Sequence, residues 1–219
     1  YSFHKYRLNR LLEVERTRNR IARDLHDEVS ASVTGIVYFA DAVKTEVKGK
    51  EIPVLNKLIG LIGESATQIQ ESMSDIIWSI NPDNDDWNVV LPKFRRYASD
   101  LCESKGIKYN IEIPESFSGK SLKMEQRHDL WLVFKEIVTN AVRHSQCKEI
   151  NIKLFTDSDF LHLNISDNGI GFDSEIPSLN NGVKNIRSRS KTLNGTSELN
   201  TSVGNGTEWK IKLPLTVTK

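Results

Sequence analysis

Residues 136–144 read EIVTNAVRH, and this stretch decides the fold predicted for the second half of the chain. Its apolar positions predict an amphipathic helix. Glu136, Asn140 and His144 (or Arg143) recur four positions apart and so share one face of that helix. A carboxylate, an amide and a cation in a row can hold Mg²⁺ and reach phosphate oxygens, while the plainer alternative is a solvated polar face.

The pattern around this stretch predicts an α+β sandwich, in which a mixed sheet has helices packed on one face. Alternating apolar residues bounded by turn residues mark the strands, and steps of three or four mark the helices. The predicted helices are 91–105, 122–145 and 183–193, and the predicted strands are 107–113, 149–155, 160–166, 198–201 and 208–213.

Three glycine-containing stretches follow that helix in the chain. Residues 167–171 read DNGIG directly after a strand, where a buried Asp can accept from an adenine amino group and glycine lets the backbone approach a nucleotide. Gly182 opens a helix whose N–H groups could face phosphate. Residues 204–207 read GNGT before the last strand. Taken singly, the first and last of these strings are also typical of plain turns.

The first half of the chain is predicted to be a helical hairpin. One helix runs from 6 to 48, a turn occupies 48–53, and a second helix ends at 81–82, where Asn is followed by Pro. Within RDLHDE at 23–28, His26 falls beside the apolar stripe among carboxylates, although an ordinary solvated histidine is the plainer alternative. A hairpin alone cannot cover both apolar faces, so two copies should pair as a four-helix bundle.

Composition excludes several classes of protein. The 219 residues carry a net charge of +1, which predicts no direct nucleic-acid partner. The two cysteines, Cys102 and Cys147, suit a reducing compartment, and their spacing matches no metal site. No apolar run approaches the length of a membrane span.

The predicted organisation is a dimerisation hairpin over 1–82, an acidic linker over 83–90 and an α/β domain over 91–219. The chain opens in mid-pattern on Tyr1, which indicates a piece of a longer protein. Six arginines within 1–23 would suit a helix just inside a membrane, with a sensor region anchored upstream.

The order of these motifs resembles the Bergerat ATP-binding fold of sensor histidine kinases, type II topoisomerases, Hsp90 chaperones and mismatch-repair ATPases. With RDLHDE on a preceding hairpin, the whole is similar to the cytoplasmic catalytic portion of a two-component sensor histidine kinase. The nearest subfamily resembles the nitrate and membrane-fluidity sensors. The resemblance implies an inner-membrane sensor protein that dimerises, uses ATP with Mg²⁺, and phosphorylates the receiver domain of a response regulator.

The resemblance also implies a role for each candidate residue. His26 would be the phosphoacceptor, Asp27 would take up its proton, Glu136 would position metal or water, and Asn140 would bind Mg²⁺ through ATP. Asp167 would recognise adenine, with Thr207 as a second contact near the base. The remaining nucleotide contacts would come from Arg143, His144, Gly169, Gly171, Gly182, Gly204 and Gly206.

One position departs from the subfamily. The residue five after the phosphoacceptor is often Gln or Asn and holds the water that dephosphorylates the regulator, whereas here it is Ala31. We therefore expect kinase activity with weak or no phosphatase activity. Two other functions compete: a Bergerat-fold ATPase without phosphotransfer, in which Glu136 activates water, and a dimeric scaffold without chemistry.

Overall fold

The chain divides into two compact units, Tyr1–Ile80 and Asn81–Lys219. His26, Asp27 and Ala31 lie outside the described residues. The computed structural model describes residues 29, 32, 34–36, 38–39, 42–43, 45, 52–80, 84, 86–115, 117, 120–121, 124–157, 159–174 and 181–217.

The first unit contains the long helix α1, Ile52–Ile80, which ends immediately before the predicted stop at Asn81-Pro82. Every described residue between 29 and 45 is also helical. A Cβ atom added at Gly35 would lie 3.8 Å from the Ser65 hydroxyl oxygen, so the two helical segments lie side by side at this point. This contact agrees with the predicted hairpin.

The described residues of the second unit form the helices α2 (Trp87–Glu103), α3 (Met124–His144) and α4 (Asn181–Thr192). The prediction for the start of α2 was wrong by four residues. Asp86 caps the helix because its carboxylate accepts from the Asn88 backbone N–H at 2.9 Å, so residues 87–90 are helical and do not belong to the linker.

The main sheet has five strands in the order β1-β3-β4-β6-β5, with β1 parallel to β3 and the other neighbours antiparallel. The strands are β1 Lys108–Glu112, β3 Glu149–Asp157, β4 Phe160–Asp167, β5 Thr196–Thr201 and β6 Thr207–Pro214. A separate antiparallel pair, β2 (Lys120–Ser121) with β7 (Thr216–Val217), was not predicted, because two-residue strands carry no detectable alternation.

The core of the second unit lies between the helices and one face of the sheet. Alternate residues of β3 are fully buried, as are those of β4. Phe94 of α2 stacks on Phe134 of α3 at 4.4 Å between ring centroids. A helical unit followed by a mixed α/β sandwich confirms the predicted fold class. Within the sheet, the end of β4 pairs with the start of β6, so that Asp167 lies opposite Thr207.

Candidate functional site

A cavity of about 600 Å³ opens beside the paired ends of β4 and β6. Its volume is within the range of small-molecule sites. The walls come from α3, the end of β4 and the loop after it, the start of α4 and the start of β6. The candidate residues from the sequence that line the cavity are Glu136, Asn140, His144, Asp167, Gly171, Gly182 and Thr207.

Glu136 and Asn140 form a hydrogen-bonded pair on α3. The Asn140 amide nitrogen donates to a carboxylate oxygen of Glu136 at 3.0 Å. This bond fixes the orientation of the amide and leaves its oxygen, the atom that hard cations prefer, for a further contact. The first turn of α4 packs directly on the pair, since a Cβ atom added at Gly182 would lie 2.4 Å from a Glu136 carboxylate oxygen.

Gly182→Ala should therefore displace the Glu136 carboxylate while preserving α4, because alanine favours helix and the atom it meets is the end of a flexible side chain. Misplacing a group at a reacting centre by about 1 Å can cost about 10²-fold, and we expect the ATP-dependent phosphorylation that the sequence resemblance implies to slow by up to that factor. Asn185→Ala changes an exposed residue of the same helix and is the matched control. A normal rate in Gly182→Ala with an intact melting temperature would show that the carboxylate position is unimportant.

Asp167 supplies a half-buried carboxylate at the end of β4. The Gly169 backbone N–H donates to it at 2.8 Å. Burial raises the pKa of Asp167 above its usual value, against the opposing effect of hydrogen bonds from the Gly169 N–H, the Ser145 hydroxyl and the Thr207 N–H. A carboxylate in this setting gains most from a ligand that donates a hydrogen bond, such as an exocyclic amino group.

The loop after Asp167 is tied to the turn between β5 and β6. The Gly204 N–H donates to the Ile170 carbonyl at 2.6 Å, and the Ile170 N–H donates to the Ser145 carbonyl at 2.8 Å. Gly171 has a φ of +57°, and a Cβ atom there would lie 2.1 Å from the Ser202 carbonyl oxygen. Only glycine allows the loop and the turn to approach so closely.

Four of the predicted nucleotide contacts do not line the cavity. Arg143 is exposed and lies about 100° around α3 from His144. Gly169 packs against Ser145, where an added Cβ would meet the backbone oxygen at 2.2 Å. Gly206 packs on the carbonyl of Asp167, and Gly204 is an exposed turn residue with a φ of +88°. These three glycines are therefore explained by packing and turn geometry.

The apolar part of the wall was not predicted from the sequence. Ile165 and Trp209 are buried, line the cavity and lie opposite each other in the β4–β6 pair. They stand two positions before Asp167 and two positions after Thr207, so strand alternation places all four on the same face. That spacing is the signal by which they could have been found.

The residues that line the cavity fit ATP. Buried apolar side chains with an embedded acceptor suit a flat base that carries an amino group. Glu136, Asn140 and the exposed His144 suit phosphates and a cation, beside the N-terminal N–H groups of α4. Across the described residues, no group of three or more His, Cys, Asp or Glu could hold a metal by itself. A divalent cation bound jointly by Asn140 and the ligand phosphates is consistent with this arrangement.

Two family models match the chain. "Histidine kinase" matches residues 17–85, and "Histidine kinase-, DNA gyrase B-, and HSP90-like ATPase" matches residues 125–217. The second match includes every cavity residue named above. Among the described helices, none is both long and apolar enough to cross a membrane.

Curated relatives include Sensor protein VraS of Staphylococcus epidermidis, 26% identical over 98% of this chain and 60% of its own length. The sensor histidine kinases YhcY and LiaS of Bacillus subtilis are 27% and 24% identical over 90% and 92% of this chain. The chain spans 50% of YhcY and 55% of LiaS, so it covers only part of the length of these relatives.

Two solved structures share the fold. The histidine kinase AdeS of Acinetobacter baumannii aligns with a TM-score of 0.56 at 18% identity, covering 86% of this chain and 97% of that one. The histidine kinase domain of the Erythrobacter litoralis EL346 blue-light activated kinase aligns with a TM-score of 0.51 at 15% identity, covering 90% and 94%. The two family models match in the order histidine kinase then ATPase, and the curated relatives are sensor proteins and sensor histidine kinases, so the chain belongs to the sensor histidine kinases.

Proposed function

We propose that this chain transfers the γ-phosphoryl group of ATP to His26 and then to an aspartate on the receiver domain of a response regulator. The proposal is carried by the observation that Glu136, Asn140 and Asp167 line the same cavity. Support for the acceptor comes from the histidine kinase model over 17–85, which contains His26.

Within the cavity, Asp167 would accept a hydrogen bond from the adenine amino group, with Thr207 beside it and Ile165 and Trp209 against the ring. Glu136 would hold Asn140 in position for Mg²⁺, through the hydrogen bond described above. The cation would neutralise charge on the transferring phosphoryl group.

A homodimer is proposed from exposed apolar residues on α1. Ile59 is 54% exposed, Met73 is 46% exposed, and Ala66 between them is also exposed. They are spaced seven apart, which is typical of a helix face that packs on another helix. Pairing of two hairpins over 1–82 into a four-helix bundle would bury this stripe.

The family match over 17–85 supports the kinase over a Bergerat-fold ATPase without phosphotransfer, since an ATPase would need no such hairpin. The relatives are named as sensors. We extend this to the whole protein by proposing an inner-membrane sensor region upstream and a cytoplasmic location for this part of the chain.

The test of the proposed function is incubation of the purified chain with ATP labelled at the γ-phosphate. A phosphohistidine survives base and is lost in acid, whereas phosphoserine and phosphothreonine show the reverse behaviour. Base-stable, acid-labile label that then moves to a purified response regulator is the expected result. Release of labelled inorganic phosphate with no labelled protein would support the ATPase instead.

Asp27→Asn should lower the rate of autophosphorylation by about 10²–10⁴-fold, because general-base assistance typically contributes that much. Binding of ATP to the cavity should be unaffected. Glu28→Gln is the matched control, since it removes the adjacent carboxylate by the same change of oxygen to nitrogen. If Asp27→Asn keeps its rate while Glu28→Gln loses it, the proton goes to Glu28 and the role of Asp27 is wrong.

A further inference from the structure

Thr201, the last residue of β5, lies where the loop after β4 meets the turn between β5 and β6. The Phe172 backbone N–H donates to its hydroxyl oxygen at 3.1 Å. The same oxygen lies 3.0 Å from the carbonyl oxygen of Gly206 and 3.3 Å from the hydroxyl oxygen of Thr207. One half-buried hydroxyl therefore joins the end of β5 to the loop after β4 and to the start of β6.

The hydrogen-bonding capacity of a hydroxyl decides the direction of each bond. A hydroxyl has one proton and two acceptor lone pairs. The Phe172 N–H uses one lone pair. The proton goes to the Gly206 carbonyl at 3.0 Å, because the Phe172 carbonyl is more distant at 3.5 Å. The second lone pair of Thr201 then accepts from the Thr207 hydroxyl.

This assignment determines what Thr207 offers to a ligand. If its proton is directed at Thr201, the oxygen of Thr207 presents lone pairs to the cavity that it lines. Asp167, its partner across the β4–β6 pair, is also an acceptor when ionised. Two neighbouring acceptors match a ligand edge that carries an amino group and oppose one that carries a carbonyl oxygen.

We propose that Thr201 is a positioning residue for base selection, which holds Thr207 as an acceptor so that the cavity prefers a 6-amino purine to a 6-oxo purine. The inference rests on the proposed binding of ATP and adds a specificity determinant to it. Close contact between the loop and the turn, permitted by Gly171 and Gly206, lets a side chain as short as threonine bridge them.

The test compares Thr201→Val, which removes the hydroxyl at nearly constant shape, with Thr201→Ser, which retains it. Calorimetry measures the affinity of each protein for ATP and for inosine triphosphate, whose base carries oxygen in place of the 6-amino group. A neutral hydrogen bond is worth about 0.5–1.5 kcal/mol, so the ATP preference of Thr201→Val should fall by about 2- to 12-fold. Thr201→Ser should keep the native preference.

Each other outcome has a definite meaning. The inference would be overturned if Thr201→Val lost affinity equally for both nucleotides, or if Thr201→Ser lost as much of the ATP preference as Thr201→Val. Thr201 would then have a purely structural role. If Thr201→Val does not fold, Thr207→Val removes the other end of the same bond, and an unchanged ATP preference there would also overturn the inference. Native protein that binds neither nucleotide would overturn the proposed function itself.

Discussion

His26→Gln should abolish phosphorylation of the protein while leaving its affinity for ATP unchanged. Glutamine has no nucleophilic nitrogen, and the ATP cavity lies in the second unit of the chain, to which His26 does not belong. Labelling with γ-labelled ATP measures the first quantity and calorimetry the second. The two measurements together separate loss of the acceptor from loss of nucleotide binding.

His4→Gln is the matched control, because His4 belongs to the same predicted dimerisation hairpin, just before its first helix, and has no carboxylate next to it. It should be labelled at the native rate. The most informative contrary result is label that persists in His26→Gln. Such label would direct attention to His144, which is exposed and lines the ATP cavity.

Asp167→Asn should weaken ATP binding by about 10- to 150-fold, because a hydrogen bond to a charged group is worth about 1.5–3 kcal/mol. An amide can also present its donor side to the base, which adds to the loss. Calorimetry with ATP and Mg²⁺ measures the effect. Asp159→Asn makes the same chemical change at an exposed turn and should bind ATP normally.

The raised pKa of Asp167 allows this loss of binding to be distinguished from loss of folding. A carboxyl whose pKa is raised in the folded state holds its proton more tightly there, so its ionisation lowers stability as pH rises from the ordinary pKa, about 4, through the raised one. Asparagine removes this ionisation. The free energy of unfolding of Asp167→Asn should therefore vary less with pH over that interval than that of the native protein, while ATP binding falls.

Native ATP affinity in Asp167→Asn would contradict the assignment of this carboxylate to the base. A large loss of stability of Asp167→Asn at neutral pH would also contradict the expectation. Burial of the ionised carboxylate already disfavours the folded state, so its removal should not destabilise the protein. The expected pattern is weak binding in a protein that melts normally.

Much of this protein could be read from local pattern. Steps of three or four along α1 and α3, and alternation along β3 and β4, reflect side-chain geometry within single elements, so their type and approximate bounds were predictable. The polar face of α3 was predictable for the same reason. The same spacing limited the cation at the end of that face to His144 or Arg143.

Capping and short pairings were harder to predict. The start of α2 depends on capping by Asp86, whose carboxylate accepts from both the backbone N–H and the side-chain amide of Asn88. Such local bonds compete with the other turns that the acidic stretch 83–86 could form. The β2–β7 pair joins residues almost a hundred positions apart, and each strand is too short to show a period.

The sequence by itself determined that a carboxylate–amide pair, an aspartate and several glycines occur in the order typical of an ATP site. Only the tertiary structure decided that His144 and not Arg143 lines the cavity, that Gly171 and Gly182 line it while Gly169, Gly204 and Gly206 do not, and that Thr201 joins the loop to the turn. The physical reason is that a motif records local conformation, whereas contact between motifs depends on strand register and close backbone approach, which arise from segments far apart in the chain.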